Sequence, residues 1–541
     1  MLSSAPAATG HRPGSPDRPR RAPLRKFLRR AVVLTTAAAT LSGCAVANSG
    51  STGDAGAADG ATLRIVLTQE PPTLEPCESS LTSTGVVVRS NISEPLIERD
   101  PTSGALRPLL STGWRQSSPT TWTFTTRPGV RFHDGRPFTA EDAAFSIDRA
   151  VNSDLACNVD GYVFEGRDLG ARADDANTLT VTTAEPDPIL PLRLSFVKIV
   201  PRGTSTAAKV REPVGTGPYS IADWQTGVSI SLRRNDDYWG PRPAFPAARY
   251  VWRGESSVRA AMITKGEADI AAGLDPEDAD ADHSVAYPNN ETTALRLDGR
   301  EAPLDDIRVR TAIGLAIDRR GITDALLDGL AEPAAQLVPE GVVGFNPAMT
   351  APPPDPEAAR RLVAEAAADG VPVDRPITLI ARNAQFPRVS ETAEALQYQL
   401  NQVGLRVRIQ LADTAEHLQY QLRPMPVDAG PVALLIMHGN QAGDAAFTTS
   451  QYLISDGPQS NFGTPELDER IARADGLSGR ARQDAFAAIF AAERETVAQY
   501  AYLAHMRGLL GIAKSVRYEP NSATGDELRL AAVTPADGQV R

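Results

Sequence analysis

Residues 377–437 read ITLIARNAQFPRVSETAEALQYQLNQVGLRVRIQLADTAEHLQYQLRPMPVDAGPVALLIM, and the apolar spacing switches back and forth along them. Ile377–Ile380 is a short apolar run of strand type. Ser390 stands where a helix cap belongs, and Ala393, Leu396, Leu400 and Val403 then fall on one helical face. Gly404 is the stop signal. Leu405, Val407, Ile409 and Leu411 alternate with polar residues, which is the pattern of a half-buried strand. Thr414–Leu422 reads as a second helix and Val432–Met437 as a third strand. A β-α-β-α-β run predicts a parallel sheet with right-handed crossovers. Ligands of such sheets bind beyond the carboxyl ends of the strands. The candidate site segments are therefore Ala381–Phe386, Asp413–Thr414 and His438–Asp444, with Asn383, Gln385, Phe386, His438, Asn440 and Asp444 as candidate ligand contacts.

Working outward, Thr62–Thr68 (TLRIVLT) is another strand-type run, followed by the turn-rich Gln69–Pro76. If that strand is placed correctly, Gln69 and Glu70 face the same crevice. Thr120–Arg127 reads as a strand. Thr139 and Asp142 have the spacing of a capping box, a hydroxyl followed three residues later by an acid. Ala144, Ile147 and Val151 follow at helical spacing, so residues 140–152 are expected to be helical. Asp305–Asp306 opens a clearer helix, with Val309, Ala312, Ile313, Ala316 and Ile317 on one stripe.

Enzyme signatures do not emerge. The chain has no GxSxG elbow, HExxH, phosphate-loop lysine motif or CxxC. Gly215-Thr216-Gly217 is followed by Pro218, not by the helix start that a dinucleotide fingerprint needs, and reads as a tight turn. His133, His283, His417, His438 and His505 are scattered without metal-ligand spacing. No catalytic residue, metal site or cofactor is expected; the residues describe a binding protein with an α/β ligand crevice.

The N-terminal region carries a basic run from Arg18 to Arg30, an apolar stretch Ala31–Thr40, and Leu41-Ser42-Gly43-Cys44. A basic segment, a short apolar segment and small residues before a cut define a secretory signal, and the apolar part is shorter than the roughly 20 residues that span a bilayer. The tetrapeptide resembles the lipobox of bacterial lipoproteins. That resemblance implies removal of residues 1–43 and acylation of Cys44, a cell-membrane location on the extracytoplasmic face, and a tether over 44–61. Removing residues 1–43 takes away eight basic residues and one acid, moving the net charge from −11 to −18. Such a balance argues against nucleic acid as a partner. Cys77 and Cys157 remain as an even pair in an oxidising compartment. The reading favours a disulfide between them, the alternative being two separate buried thiols.

Several segments resemble one family. Phe132–Asp142 (FHDGRPFTAED), with Trp122-Thr123-Phe124 and Arg127-Pro128-Gly129-Val130 before it, is similar to the signature of the extracellular solute-binding proteins of family 5. These are the peptide- and nickel-binding receptors of ABC importers. Val214–Tyr219, Asn235–Gly240, Lys265–Asp269, Pro303–Arg310 with Ala316–Asp318, and Pro465–Asp468 continue the likeness in order. The signature segment itself is read as framework, with His133 a fold residue, Gly215 and Gly217 turn-shapers, and Tyr238 and Trp239 packing a strand end.

The resemblance implies a two-lobed periplasmic-binding-protein-like α/β fold. Lobe I would run over 62–292, with an inserted subdomain at about 91–205; lobe II would run over 293–487, and 488–541 would return to lobe I. A ligand would be enclosed between the lobes by hinge closure and passed to permease subunits of an importer by a monomeric receptor. In peptide-binding relatives an acid after a late strand of the second lobe holds the α-amino group, and Asp444 is the candidate equivalent. A Trp that relatives often carry near the start of that strand is missing. An oligopeptide or similar polar solute is the expected ligand; a nickel–chelator complex, or an envelope scaffold that keeps the fold without transport, are the alternatives.

Overall fold

The computed structural model describes residues 62–78, 83–525 and 527–536. Cys44 and the expected tether lie outside the described residues. No helix among the described residues is long and apolar enough to cross a membrane.

Two long antiparallel strands, Ser284–Leu297 and Tyr500–Ile512, run through the centre of the molecule and join its lobes into one continuous sheet. On one side Tyr500–Ile512 pairs with Ile270–Ala271. The sheet then continues through Thr62–Leu67, Ala247–Trp252, Ser229–Arg234 and Tyr219–Gln225. On the other side Ser284–Leu297 pairs with Val432–Gly439, followed by Ile377–Arg382 and Val407–Ala412. The pairing of the two long strands is broken between Pro288 and Thr292, where Asn290 has φ +59°. A left-handed residue in an interrupted ladder is where a sheet bends most readily, which makes this the candidate hinge between the lobes.

The second lobe follows the expected β-α-β-α-β order, and both crossovers give parallel pairs. Its layers follow from strand alternation. Ile377, Leu379, Ala433 and Leu435 pack against helices Ile307–Ala316, Pro356–Ala368 and Val389–Gln402. Ile380, Leu434 and Ile436 point to the opposite face, against Ala446–Tyr452, Pro465–Asp475 and Gly479–Ala492. Both faces are covered, which is why these strands are nearly continuous apolar runs.

Some boundaries differ from the expectation. The helix Val389–Gln402 starts from Arg388, at φ +56°, so Ser390 lies inside it and is not its cap. Helix Ala140–Ile147 is shorter than residues 140–152 because its last turn widens into a π-helical segment, Asp148–Asn152. The chain also returns to the first lobe later than residue 488. Phe486, Ile489 and Phe490 keep the helix Gly479–Ala492 packed in the second lobe, and the crossing is made by the strand Tyr500–Ile512.

The inserted region carries a separate four-stranded sheet of Ser111–Ser118, Thr121–Thr126, Thr178–Thr183 and Leu169–Ala173. Cys77 and Cys157 are bonded, with Cα atoms 5.4 Å apart, and so fasten this region to the segment after the first strand. Beside them Arg149 makes bonds of 2.7 and 3.0 Å to the two oxygens of Glu75, with both side chains buried. The signature segment is framework. The His133 ring bonds the Gly217 carbonyl through Nε2 at 3.0 Å, while its Nδ1 accepts from the Gly215 amide at 3.3 Å. A Cβ on Gly215 would lie 1.9 Å from the Ile92 carbonyl oxygen, so only glycine fits that turn. Tyr238 and Trp239 both donate to the buried carboxyl of Glu94.

Candidate functional site

A cleft of about 580 Å³ lies between the lobes, at the ends of the strands that point toward the hinge. Leu67 and Thr68 reach it from the first strand, Tyr162 from the inserted region, Asn289 and Glu291 from the hinge strand, and Met437–Gly439 from the late strand of the second lobe. A second cavity of about 610 Å³ shares Thr68 and Gly273 with it and runs on between Ala384–Glu391 and Met506–Leu509. The two form one interlobe groove. A wider groove of about 1280 Å³, drawn mainly from the second lobe and bordered by Pro352–Pro354, does not collect the strand ends.

The electrostatic centre of the cleft is Glu291. One oxygen accepts from the Asn289 side chain at 2.8 Å, and its other oxygen takes no hydrogen bond from the described residues. Burial pushes its carboxyl up to about 7, an effect that the Asn289 bond and the nearby Arg382 charge only partly offset. His438 also lines the cleft, but its Nε2 bonds Thr448 at 2.8 Å and its ring packs on Tyr452 at 4.4 Å. Burial pulls it down to about 3, so it is a neutral wall and not a cation.

The other sequence-derived candidates are divided. Gln385 and Phe386 border the second part of the groove, but Gln385 donates to the Leu435 carbonyl at 3.2 Å and Phe386 belongs to the core. Asn383 is exposed and borders neither cavity. Asn440 is buried beside the cleft, where it bonds the Leu337 carbonyl and accepts from Thr448. Asp444 is withdrawn from it. Arg482 grips both its oxygens at 2.8 Å, and one of them also caps the Ala446 amide. Glu70 is committed as well, taking Trp224 Nε1 and the Gly227 amide at 2.9 Å each, which pins the hairpin Tyr219–Arg234; Gln69 is exposed and away from the cleft. The first strand does reach the site, but through Thr68.

Sequence reasoning missed Glu291 and Asn289; Gln441 falls inside the expected segment His438–Asp444 without having been singled out. The signal that could have found the first two is the polar triplet Asn289-Asn290-Glu291 inside an otherwise strand-like run. Among the described residues no group of three or more His, Cys, Asp or Glu side chains is placed to hold a metal ion.

A sheet carried across two lobes by paired strands, with a cleft at the crossing, defines a bilobal binding-protein fold. The chain belongs to the bacterial extracellular solute-binding proteins, family 5, whose model matches residues 105–460; this is a family of binding proteins and not of enzymes. It is 28% identical to the dipeptide-binding protein of Escherichia coli over 56% of this chain and 62% of that protein. It is 30% identical to protein XP55 of Streptomyces lividans over 57% of each. The chain thus spans about 60% of the length of these curated relatives. Among solved structures, the substrate-binding protein CtaP of Listeria monocytogenes superposes with a TM-score of 0.77 at 20% identity, covering 88% of this chain and all of that one. The binding protein DppA of Helicobacter pylori, solved with the peptide STSA, gives 0.72 at 19% identity, covering 88% and 98%. These two likenesses concern the fold.

Proposed function

We propose that the protein is the solute-capturing receptor of an ABC importer, that it holds a short peptide between its lobes, and that lipid on Cys44 keeps it at the membrane. The observation that carries the ligand reading is Glu291, a carboxylate at the hinge with one oxygen left for a cationic partner. An α-ammonium there would form a charge-assisted bond, which is roughly twice as strong as a neutral one. The cleft volume of about 580 Å³ suits a ligand of a few residues. Relatives described as dipeptide-binding and di/tripeptide-binding proteins support the same class.

The test is ligand-dependent thermal stabilisation against di- and tripeptides, longer peptides and nickel–histidine. Stabilisation by short peptides with a free amino end is the expected result. Silence to all peptides together with a shift for nickel–histidine would replace this reading with the metal-chelate one, which the solved nickel–histidine complex of a structural neighbour from Staphylococcus aureus makes the natural comparison. Acylation is checked by intact-mass measurement of the membrane fraction, with Cys44→Ala releasing the protein from it.

A further inference from the structure

The seam between the inserted region and the second lobe is apolar and interlocked. Ala445 and Ala446 face the second lobe's own core, but Ala442 and Phe447, on either side of them, belong to the core of the inserted region. Phe447 is 3% exposed. Its ring meets Phe196 edge-on, with centroids 6.4 Å apart, and lies 5.0 Å from the guanidinium carbon of Arg193. Both are attractive geometries for an aromatic ring. Arg193 is itself held within the inserted region by Asp187 at 3.0 Å and by the Val163 carbonyl.

The same seam has a polar edge. Arg99 of the inserted region donates to the Gln441 carbonyl at 2.5 Å. A Cβ on Gly443 would lie 2.3 Å from the Arg99 guanidinium, and Gly443 has φ +77°, so the loop passes this arginine only as glycine. Backbone bonds from Val343 to the Gly443 carbonyl and from the Ala445 amide to Val343 fix the loop to the second lobe. On the other bank, the bond of Cys77 to Cys157 and the Arg149–Glu75 pair fix the inserted region to the first lobe. Phe447 therefore joins two separately anchored bodies. It does not border the cleft, and the contact is made by protein groups alone.

We propose that Phe447 is a clasp, a side chain of the second lobe plugged into the inserted region, which biases the lobes toward closure whether or not a solute is bound. Bending at the interruption between Pro288 and Thr292 draws the ring out of its hole and wets Phe196. Exposing that much apolar surface opposes opening. Closure is thus favoured in part before a ligand arrives, and the ligand supplies the remainder. Affinity scales with the fraction of molecules already in the binding-competent shape. The clasp is therefore a determinant of affinity that touches no ligand.

The test is small-angle scattering and amide hydrogen exchange on the ligand-free full chain, with Cys44→Ala throughout to avoid acylation. The parent is compared with Phe447→Ala, Phe196→Ala and the double variant. Each single change should enlarge the radius of gyration and quicken exchange at least about 10-fold on both banks of the seam, at 190–196 and 439–447. The double variant should be no more open than either single one, because both changes break one contact. Phe486→Leu, which loosens the second lobe's own core, should scatter as the parent does. An unchanged radius in the folded alanine variants overturns the clasp, since Phe447 is then packing within one rigid body. Should Phe447→Ala fail to fold, Phe447→Leu decides by the same readout: a smaller opening is expected, and an unchanged radius again overturns the proposal. Titration with tri-alanine gives a second reading, its Kd rising in Phe447→Ala in proportion to the loss of closed molecules. An unchanged Kd in an opened variant overturns the role in affinity. No binding of tri-alanine by the parent counts against the peptide reading, and the scattering result then judges the clasp by itself.

Discussion

Asp444 and Arg482 meet end to end, each carboxylate oxygen 2.8 Å from a guanidinium nitrogen, with both side chains 3% exposed. The acid that follows the late strand of the second lobe is thus spent on fastening the Gly479–Ala492 helix to the loop after that strand. Asp444→Ala removes the bidentate partner of buried Arg482 and leaves it Asp475 at 3.9 Å and the carbonyls of Ala474, Asp475 and Leu477. The expected cost is about 3–5 kcal/mol of stability, read from the denaturant midpoint. Affinity per folded molecule, from calorimetry, should stay within about twofold. A large loss of affinity at unchanged stability would return Asp444 to the binding site.

Glu291 should make peptide affinity depend on pH. Its carboxyl titrates near 7 in the empty cleft, and a cationic amino end binds only the ionised form. Affinity should therefore peak between about pH 7 and 8, falling by about tenfold for each unit well below 7 and falling again above about 8 as the peptide's own amino group loses its proton. Glu291→Gln should be weaker at pH 8 and nearly flat between pH 6 and 8. Isothermal titration at three pH values checks both slopes.

The disulfide closes a loop with a sequence separation of 80 residues. Chain-entropy arguments put its contribution at about 4 kcal/mol as an upper guide. Cys77→Ser with Cys157→Ser should lower stability by about 2–4 kcal/mol, and proteolysis of the double variant should begin within the inserted region. Cleavage in the second lobe first would contradict the idea that this bond chiefly secures the insertion.

His133 and Gly215 test whether the signature segment is framework. His133→Ala strands the Gly215 amide and leaves the Gly217 carbonyl with Asn235 alone, and should cost about 1–3 kcal/mol. Gly215→Ala forces a methyl group against the Ile92 carbonyl and should leave little soluble protein. Neither residue borders the cleft, so the Kd of whatever His133→Ala protein folds should match the parent.

The second lobe was legible because each of its strands and helices writes its own period. Ile377–Ile380 and Val432–Met437 are apolar throughout since both faces are covered, and Ala393, Leu396 and Leu400 mark a single helical stripe. The site was less legible for two reasons. Side-chain direction at a strand end is set by tertiary partners: Asp444 stands where an amino anchor was expected, but Arg482, 38 residues on, turns it away. Glu70 is likewise captured by Trp224, 154 residues away. In addition, Thr68, Tyr162, Glu291 and Gln441 come from segments with no shared motif, and only the crossing of the lobes brings them together.

The hinge strands carry a mechanical consequence. Thr62–Leu67 lies in the first lobe, and Ala536 is bonded there to Ser515, so both ends of the described chain leave from the same lobe. The second lobe hangs from the first by two strands and has no other covalent tie among the described residues. Any pull arriving through the segment before Thr62 is thus borne by the first lobe's sheet and does no work on the bend at Pro288–Thr292. A force on the N-terminal segment and a bend between the lobes would therefore be mechanically decoupled. A molecule held by its N-terminal segment would bend at that interruption with the same bias as a free one.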